Sequence, residues 1–137
     1  MIYLTRRERF SAAHRMFRPE LTDEENSEVY GLCSNPGWHG HNYELFITVR
    51  GEMNEELGYV INLKKLKEIV REHIIGPLDH KNINTQVGFM KGRMASTENI
   101  AISIWEVLEP YIQKEGVELY CIKIKETENN YIEYYGK

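Results

Sequence analysis

Cysteine is scarce in this sequence of 137 residues, which contains only Cys33 and Cys121. Small disulfide-stabilised domains are dense in cysteine, and an intracellular compartment would keep two isolated thiols reduced. The sequence therefore argues against a disulfide scaffold. It leaves free thiols that are available for chemistry.

Long apolar runs and an excess of positive charge are also missing. No run approaches the roughly 20 apolar residues that cross a bilayer, and the first residues, MIYLTRRERF, lack the apolar region of a signal peptide. We therefore expect a cytoplasmic protein without a membrane partner. Because the formal net charge is -4, a nucleic-acid partner is not expected either. The length fits a single domain over residues 1–137.

Two long segments, 2–14 and 39–52, are predicted to be strands, because both are rich in β-branched and aromatic residues and contain no proline,. The polar segment between them is interrupted by Pro19, Gly31 and Pro36. It therefore predicts a long loop and not a tight hairpin, and loops of this length are usually functional or disordered.

Two amphipathic helices should follow the strands. Asn62 can cap the first helix, which is predicted to stop at Gly76-Pro77, and Ser96 or Thr97 can cap the second, which Gly116 ends,. The C-terminal part predicts two more strands around a short turn at 128–130. The resulting order, ββααββ, indicates an α+β fold with a four-stranded antiparallel sheet and two helices on one face. The two open sheet edges favour oligomerisation.

Three histidines begin or end apolar strand faces. Residues two apart share a face of a strand, so His39 and His41 continue the apolar side of the second strand, and His14 ends the apolar row of Phe10 in the first. Three imidazoles are a familiar zinc set whose fourth position is either open for catalysis or closed by a protein ligand. The sequence therefore predicts a zinc site at His14, His39 and His41.

Cys33 has two readings at this point. It can close the metal site as a fourth ligand, or it can act beside an open site as a thiolate. Asp79 and His80 form an adjacent pair in a loop, where acid–base residues often lie. Glu126 shares the phase of a core face in the third strand and therefore needs a cationic or donor-rich partner.

Six segments together resemble the 6-pyruvoyl-tetrahydropterin synthase family over essentially the whole chain. They are FSAAHR, GLCSNPGWHGHNY, GYVINLKKLK, PLDHKNIN, STENIAISIW and KETENN. The resemblance implies the tunnelling fold (T-fold), in which subunits close into a barrel as trimers and two trimers form a homohexamer. It also implies active sites between subunits.

The same resemblance assigns roles to the candidate residues. His14, His39 and His41 resemble the family's zinc ligands, and Cys33 resembles its catalytic base. Asp79 and His80 would complete a relay with Cys33, Glu126 would anchor the pterin ring, and Thr97 and Glu98 match the pterin-pocket segment. The implied reaction is zinc-dependent: the substrate 7,8-dihydroneopterin triphosphate becomes 6-pyruvoyl-tetrahydropterin with loss of triphosphate.

Two alternatives stay open. The relative 6-carboxy-5,6,7,8-tetrahydropterin synthase takes the same substrate towards queuosine, but it typically has three residues between the cysteine and His-Gly-His, where this chain has five, SNPGW. A relative in folate synthesis uses glutamate in place of the cysteine, which Cys33 argues against. The non-enzyme alternative is a zinc-stabilised binding module closed by Cys33.

The residues that contact the triphosphate are not assigned by the sequence. Arg15, Arg18 and Lys81 are available for this role, and each is as easily a solvated surface charge.

Overall fold

An antiparallel pair of long strands forms the centre of the computed structural model, which describes all 137 residues. These strands are β1 (Ile2–His14) and β2 (His39–Gly51). Their pairing runs without a break from Ile2 opposite Gly51 to His14 opposite His39. The two strands predicted from the sequence are confirmed within one residue, because a long alternating pattern without proline leaves little freedom in where a strand ends.

The sheet has five strands, in the order β3 (Lys81–Asn82), β1, β2, β4 (Glu118–Lys125) and β5 (Tyr131–Tyr134). The strands β4 and β5 extend it on one side as an antiparallel hairpin, as predicted. On the other side β3 pairs parallel with β1. The prediction of four strands was therefore one short, since a strand of two residues carries no periodicity to recognise.

The helical segment after β2 is longer than expected. Its first part, α2 (Leu63–Val70), is capped by the Asn62 side chain, which accepts hydrogen bonds from the backbone N–H groups of Lys64 and Lys65. The chain then makes a π-helical turn over Arg71–Ile75 and continues as α3 (Gly76–Leu78). The predicted stop at Gly76-Pro77 was wrong. The wider turn, in which the Gly76 N–H donates to the Arg71 carbonyl, carries the helix past the proline,.

The second predicted helix is confirmed as α5 (Thr97–Lys114), with the Ser96 hydroxyl accepting a hydrogen bond from the Asn99 N–H. This helix and α2 pack on one face of the sheet, and the core lies between them. No helix combines the length and the apolar character needed to cross a membrane. The largest fully buried core side chains include Leu45, Ile47, Leu66, Ile74, Ile100, Ile104, Leu108 and Ile122.

The long loop between β1 and β2 is ordered. It contains α1 (Asp23–Tyr30), which begins with a capping box between Thr22 and Glu25, and a 3₁₀ turn over Gly31–Ser34,. After β3 the chain forms α4 (Ile83–Gln86) and a further 3₁₀ turn over Gly88–Met90. These short helices bury few residues, so the sequence offered no apolar stripe by which to predict them.

A β-bulge changes which face of β4 some residues occupy. The register between β2 and β4 shifts at Thr48 and Val49, so that Thr48 pairs with Cys121 and Val49 with Leu119. Tyr120 consequently leaves the core face and packs edge-on against Tyr3, with ring centroids 4.8 Å apart. Strict alternation along the strand would place Tyr120 on the same face as Ile122, and the extra residue of a bulge breaks that alternation,.

Candidate metal centre and adjoining cleft

The three predicted histidines meet at one corner of the sheet. The strand register places His14 opposite His39 and Ala12 opposite His41. The ring centroid of His14 lies 4.5 Å from that of His39 and 5.1 Å from that of His41. His14 is fully buried, and the other two are partly buried. The geometry brings the predicted ligands together.

The orientation of His14 is fixed by the N-terminal end of α5. Its Nδ1 lies 2.7 Å from the carbonyl oxygen of Ala95, which can only accept a hydrogen bond. Nδ1 therefore carries the proton, and in the neutral ring Nε2 presents a lone pair. A histidine that donates through one nitrogen to a carbonyl and presents the other is the usual arrangement of a metal ligand.

Glu126, which follows the last residue of β4, completes the cluster. Its Oε1 lies 3.2 Å from Nε2 of His14 and 3.1 Å from Nε2 of His41. These contacts are close but poorly directed, and neither nitrogen has a hydrogen-bond partner. A carboxylate oxygen facing the lone pair of neutral His14 is unfavourable unless a cation or a proton neutralises the pair.

The cluster fits a metal ion. His14 Nε2, His39 Nδ1 and His41 Nε2 are all buried and unpartnered. One ligand atom from each histidine and one from Glu126 lie within 4.8 Å of one another. In a tetrahedral site with bonds of roughly 2.0–2.2 Å, neighbouring ligand atoms are about 3.3 Å apart. The contacts of Glu126 already match that separation.

The local electrostatics keep these ligands in the forms that bind metals. Burial, with the neighbouring imidazoles, lowers the pKa of His39. Burial likewise lowers the pKa of His41, although Glu126 opposes this. Contact with His14 lowers the pKa of Glu126, and the Thr97 hydroxyl contributes. At neutral pH these shifts favour neutral imidazoles at His39 and His41 and an ionised carboxylate at Glu126,.

Cys33 lies outside the four-residue group. It is partly buried in the 3₁₀ turn, and its carbonyl oxygen accepts a hydrogen bond of 2.8 Å from the Met16 N–H. Its thiol is close enough to influence Tyr43, whose pKa is raised by burial first and then by the charges of Glu126 and Cys33. Cys33 therefore does not join the cluster of histidines.

Tyr43 is a site residue that the sequence did not single out. Its side chain is fully buried two residues beyond His41, and its hydroxyl has no hydrogen-bond partner. Its ring packs edge-on against those of His14 and His41. The chain has nine tyrosines, of which several fall in strands. Only the phase of Tyr43 with the two histidines of β2 could have distinguished it from the others.

Asp79 and His80 lie on a tight loop tied to β1. The Ser11 N–H donates to Asp79 Oδ1 at 2.9 Å, and the His80 N–H donates to the Ser11 carbonyl at 2.6 Å. His80 has a φ of 60°, a conformation that costs energy for a residue with a side chain. Its ring is 82% exposed, with Nε2 3.6 Å from Asp79 Oδ2. Hydrogen bonds to Ser11 thus fix the loop at Asp79 and His80, while the imidazole of His80 is exposed to solvent.

A cleft of about 710 Å³ connects this loop to the metal centre. Asp79, His80 and Glu126 line it, whereas Cys33 does not. Of the predicted pocket residues, Thr97 is buried at the start of α5, and its hydroxyl helps to lower the pKa of Glu126. Glu98 is exposed in the first turn of that helix, where it suits the helix dipole,.

The sequence was compared with protein-family models and with characterised proteins, and both comparisons found relatives that span most of the chain. Residues 3–137 match the family model described as 6-pyruvoyl tetrahydropterin synthase. The chain is 43% identical over 136 residues to the 6-pyruvoyl tetrahydrobiopterin synthase of Dictyostelium discoideum, with 99% of this chain and 97% of the relative covered. The 6-carboxy-5,6,7,8-tetrahydropterin synthase of Bacillus subtilis is 29% identical, with 80% and 75% covered.

The fold has a solved counterpart. The structure of Caenorhabditis elegans 6-pyruvoyl tetrahydropterin synthase superposes with a TM-score of 0.91 at 36% sequence identity, covering 99% of this chain and 96% of that one. The predicted α+β fold is thereby confirmed as the T-fold of this family.

The stability of the metal-free protein should fall as the pH drops. Unfolded histidine titrates near pH 6.5, and the folded-state pKa values of His39 and His41 are lowered. The unfolded chain therefore binds more protons below about pH 6.5, so that stability is complete above that pH and declines until the folded-state pKa values are passed. Thermal unfolding midpoints of EDTA-treated protein at pH 7.5, 6.5 and 5.5 measure this. His41→Gln should show a shallower decline, and a midpoint that rises on acidification would contradict the assignment.

Proposed function

Because the chain belongs to the 6-pyruvoyl tetrahydropterin synthase family and is an enzyme of tetrahydropterin biosynthesis, we propose that it converts 7,8-dihydroneopterin triphosphate to 6-pyruvoyl-tetrahydropterin and triphosphate with the help of zinc. The observation that carries the proposal is the convergence of three unpartnered imidazole nitrogens in one buried cluster. Three imidazoles with a position left for substrate are a catalytic zinc set.

His14, His39 and His41 would hold the zinc ion. When bound, zinc supplies Lewis acidity that binds the side-chain hydroxyls of the substrate and acidifies the neighbouring C–H bonds. The hydrogen bond from His14 to Ala95 keeps one ligand oriented. No redox cofactor is required, because the ring is reduced at the expense of its own side chain.

Glu126 would anchor the pterin ring. Its carboxylate can accept two parallel hydrogen bonds from the 2-amino group and the adjacent ring N–H, and such bidentate pairs are strong and directional. It lies between the histidines and the cleft, and it is 25% exposed. Its lowered pKa keeps it ionised at neutral pH, as an acceptor must be,. Thr97 supports it from α5.

Cys33 would remove a proton from a side-chain carbon of the substrate, and His80, oriented by Asp79, would move protons during tautomerisation and elimination. Within one chain His80 lines the cleft while Cys33 does not. We therefore assign the complete relay to two subunits, Cys33 from one and Asp79-His80 from another. The open edges at β3 and β5 are available for such an assembly, which we propose to be a homohexamer of two trimers.

The pyruvoyl product is favoured over the carboxy product. Five residues separate Cys33 from the His-Gly-His segment, and identity to the pyruvoyl-type relative is 43% against 29% for the carboxy-type one. Incubating the purified protein with 7,8-dihydroneopterin triphosphate and identifying the product by mass spectrometry tests this directly. We expect 6-pyruvoyl-tetrahydropterin and triphosphate, and a 6-carboxy product would reverse the assignment.

Replacing the thiol of Cys33 distinguishes its proposed role as catalytic base from the alternative role as fourth zinc ligand. We expect Cys33→Ala to keep its zinc and its oligomeric state while turnover falls by about a hundredfold or more, the usual contribution of a positioned base. Metal analysis, gel filtration and steady-state rates measure the three properties. Cys121→Ala is the matched control, since that thiol is buried away from the cluster. Loss of zinc from Cys33→Ala would favour the binding module closed by Cys33.

Glu126 can be tested as an anchor against its alternative as a fourth ligand. Under the anchor assignment Glu126→Gln retains zinc, because three imidazoles remain. Its affinity for a pterin product should fall at least tenfold, because the neutral amide cannot accept two parallel bonds. Glu128→Gln changes an exposed neighbour in the same cleft and should leave both properties unchanged. Zinc loss from Glu126→Gln, measured by metal analysis, would instead make Glu126 a ligand.

A further inference from the structure

Arg15, the residue after His14, is not a solvated surface charge. Its side chain is only 12% exposed. The Nε–H donates to the carbonyl oxygen of Ser34 at 2.7 Å. A charge-assisted hydrogen bond of this length, at a part-buried position, is among the stronger polar contacts that a protein makes. Ser34 follows Cys33 directly, so Arg15 reaches the turn that carries the thiol.

The turn is held at two consecutive carbonyl groups, those of Cys33 and Ser34. The Met16 N–H donates to the carbonyl of Cys33 at 2.8 Å, and Arg15 holds the next carbonyl. Both donors belong to the two residues that immediately follow the buried ligand His14. The position of Cys33 relative to the histidines is therefore set by a segment directly attached to one of them.

Arg15 is itself anchored. Asn84 pairs with its backbone in both directions, accepting from the N–H at 3.0 Å and donating to the carbonyl at 2.9 Å. The guanidinium lies over the Phe17 ring, 4.1 Å from its centroid. A third contact, to Asp23 at 3.1 Å, involves a carboxylate that is 72% exposed, so it adds little,.

These contacts leave the guanidinium little freedom to reach a phosphate. We infer that Arg15 is a positioning residue that holds Cys33 in register with the His14, His39 and His41 group. This inference rests on the proposed function in so far as it takes Cys33 to be the base. Lysine cannot replace arginine here, because the contact needs a planar group that bonds Ser34 while it stacks on Phe17.

The test compares Arg15→Lys and Arg15→Gln with Asp23→Asn and Glu20→Gln. Glu20 lies in the same loop, is more than half exposed and pairs only with the exposed Arg18, so its variant is the matched control. We expect both Arg15 variants to lose about ten- to a hundredfold in kcat, the scale of a small misplacement of a reacting group. KM should stay within about threefold of the parent value, because positioning affects the chemical step more than binding. Zinc content should be unchanged, and the two control variants should match the parent in every property.

A second measurement requires no pterin substrate. In a Cys121→Ala background, iodoacetamide should modify Cys33 at least about three times faster when Arg15 is replaced by Gln, because a half-buried thiol becomes accessible when its turn is released. If the parent protein fails to turn over the pterin substrate, the proposed function fails. The alkylation comparison still tests whether Arg15 holds the turn that carries Cys33.

Three results would overturn the inference. Full activity in Arg15→Lys together with a raised KM in Arg15→Gln would make Arg15 a phosphate contact. Loss of zinc from both variants would make its role structural. An unchanged alkylation rate would show that the turn does not depend on it.

Discussion

The pairing of β1 with β2 is the constraint on which the rest of the site depends. Because residues two apart share a face and facing residues are set by register, one unbroken ladder decides that His14 lies beside His39 and near His41,. If the register of β2 against β1 slipped by one residue, His39 and His41 would turn to the opposite face of the sheet. The apolar side chains that follow them along β2 would then face solvent. Core burial and ligand placement are therefore specified by the same pairing.

The remaining parts of the site come from the ends of other elements. Ala95, just before α5, supplies the carbonyl that orients His14, and Glu126, just beyond β4, supplies the carboxylate. Neither residue is near His14 in sequence, so the packing of α5 on the sheet and the β4–β2 pairing together complete the cluster. Buried unpartnered nitrogens are costly, and a cation bound by the three imidazoles would compensate for that cost.

Much of this arrangement could be predicted from sequence. The phase of the strands identified His14, His39, His41 and Glu126, because alternation over a long strand is a strong signal. What could not be predicted were features without periodicity: the two-residue β3, the π-helical turn before Pro77, and the bulge that moved Tyr120. The contact of Glu126 with the imidazoles was not predicted either, because alternation assigns a side chain to a face of the sheet without specifying which residues it contacts there.

The histidines and Cys33 lie on different kinds of structural element. The histidines stand on central strands whose register cannot change without loss of the core, whereas Cys33 stands on a turn held by Arg15 and Met16. Residues 35–38 join that turn to β2 outside the ladder, so the strand register does not fix their number. Under the proposed function, the five-residue spacing and the contacts of Arg15 and Met16 would together set where Cys33 removes a proton.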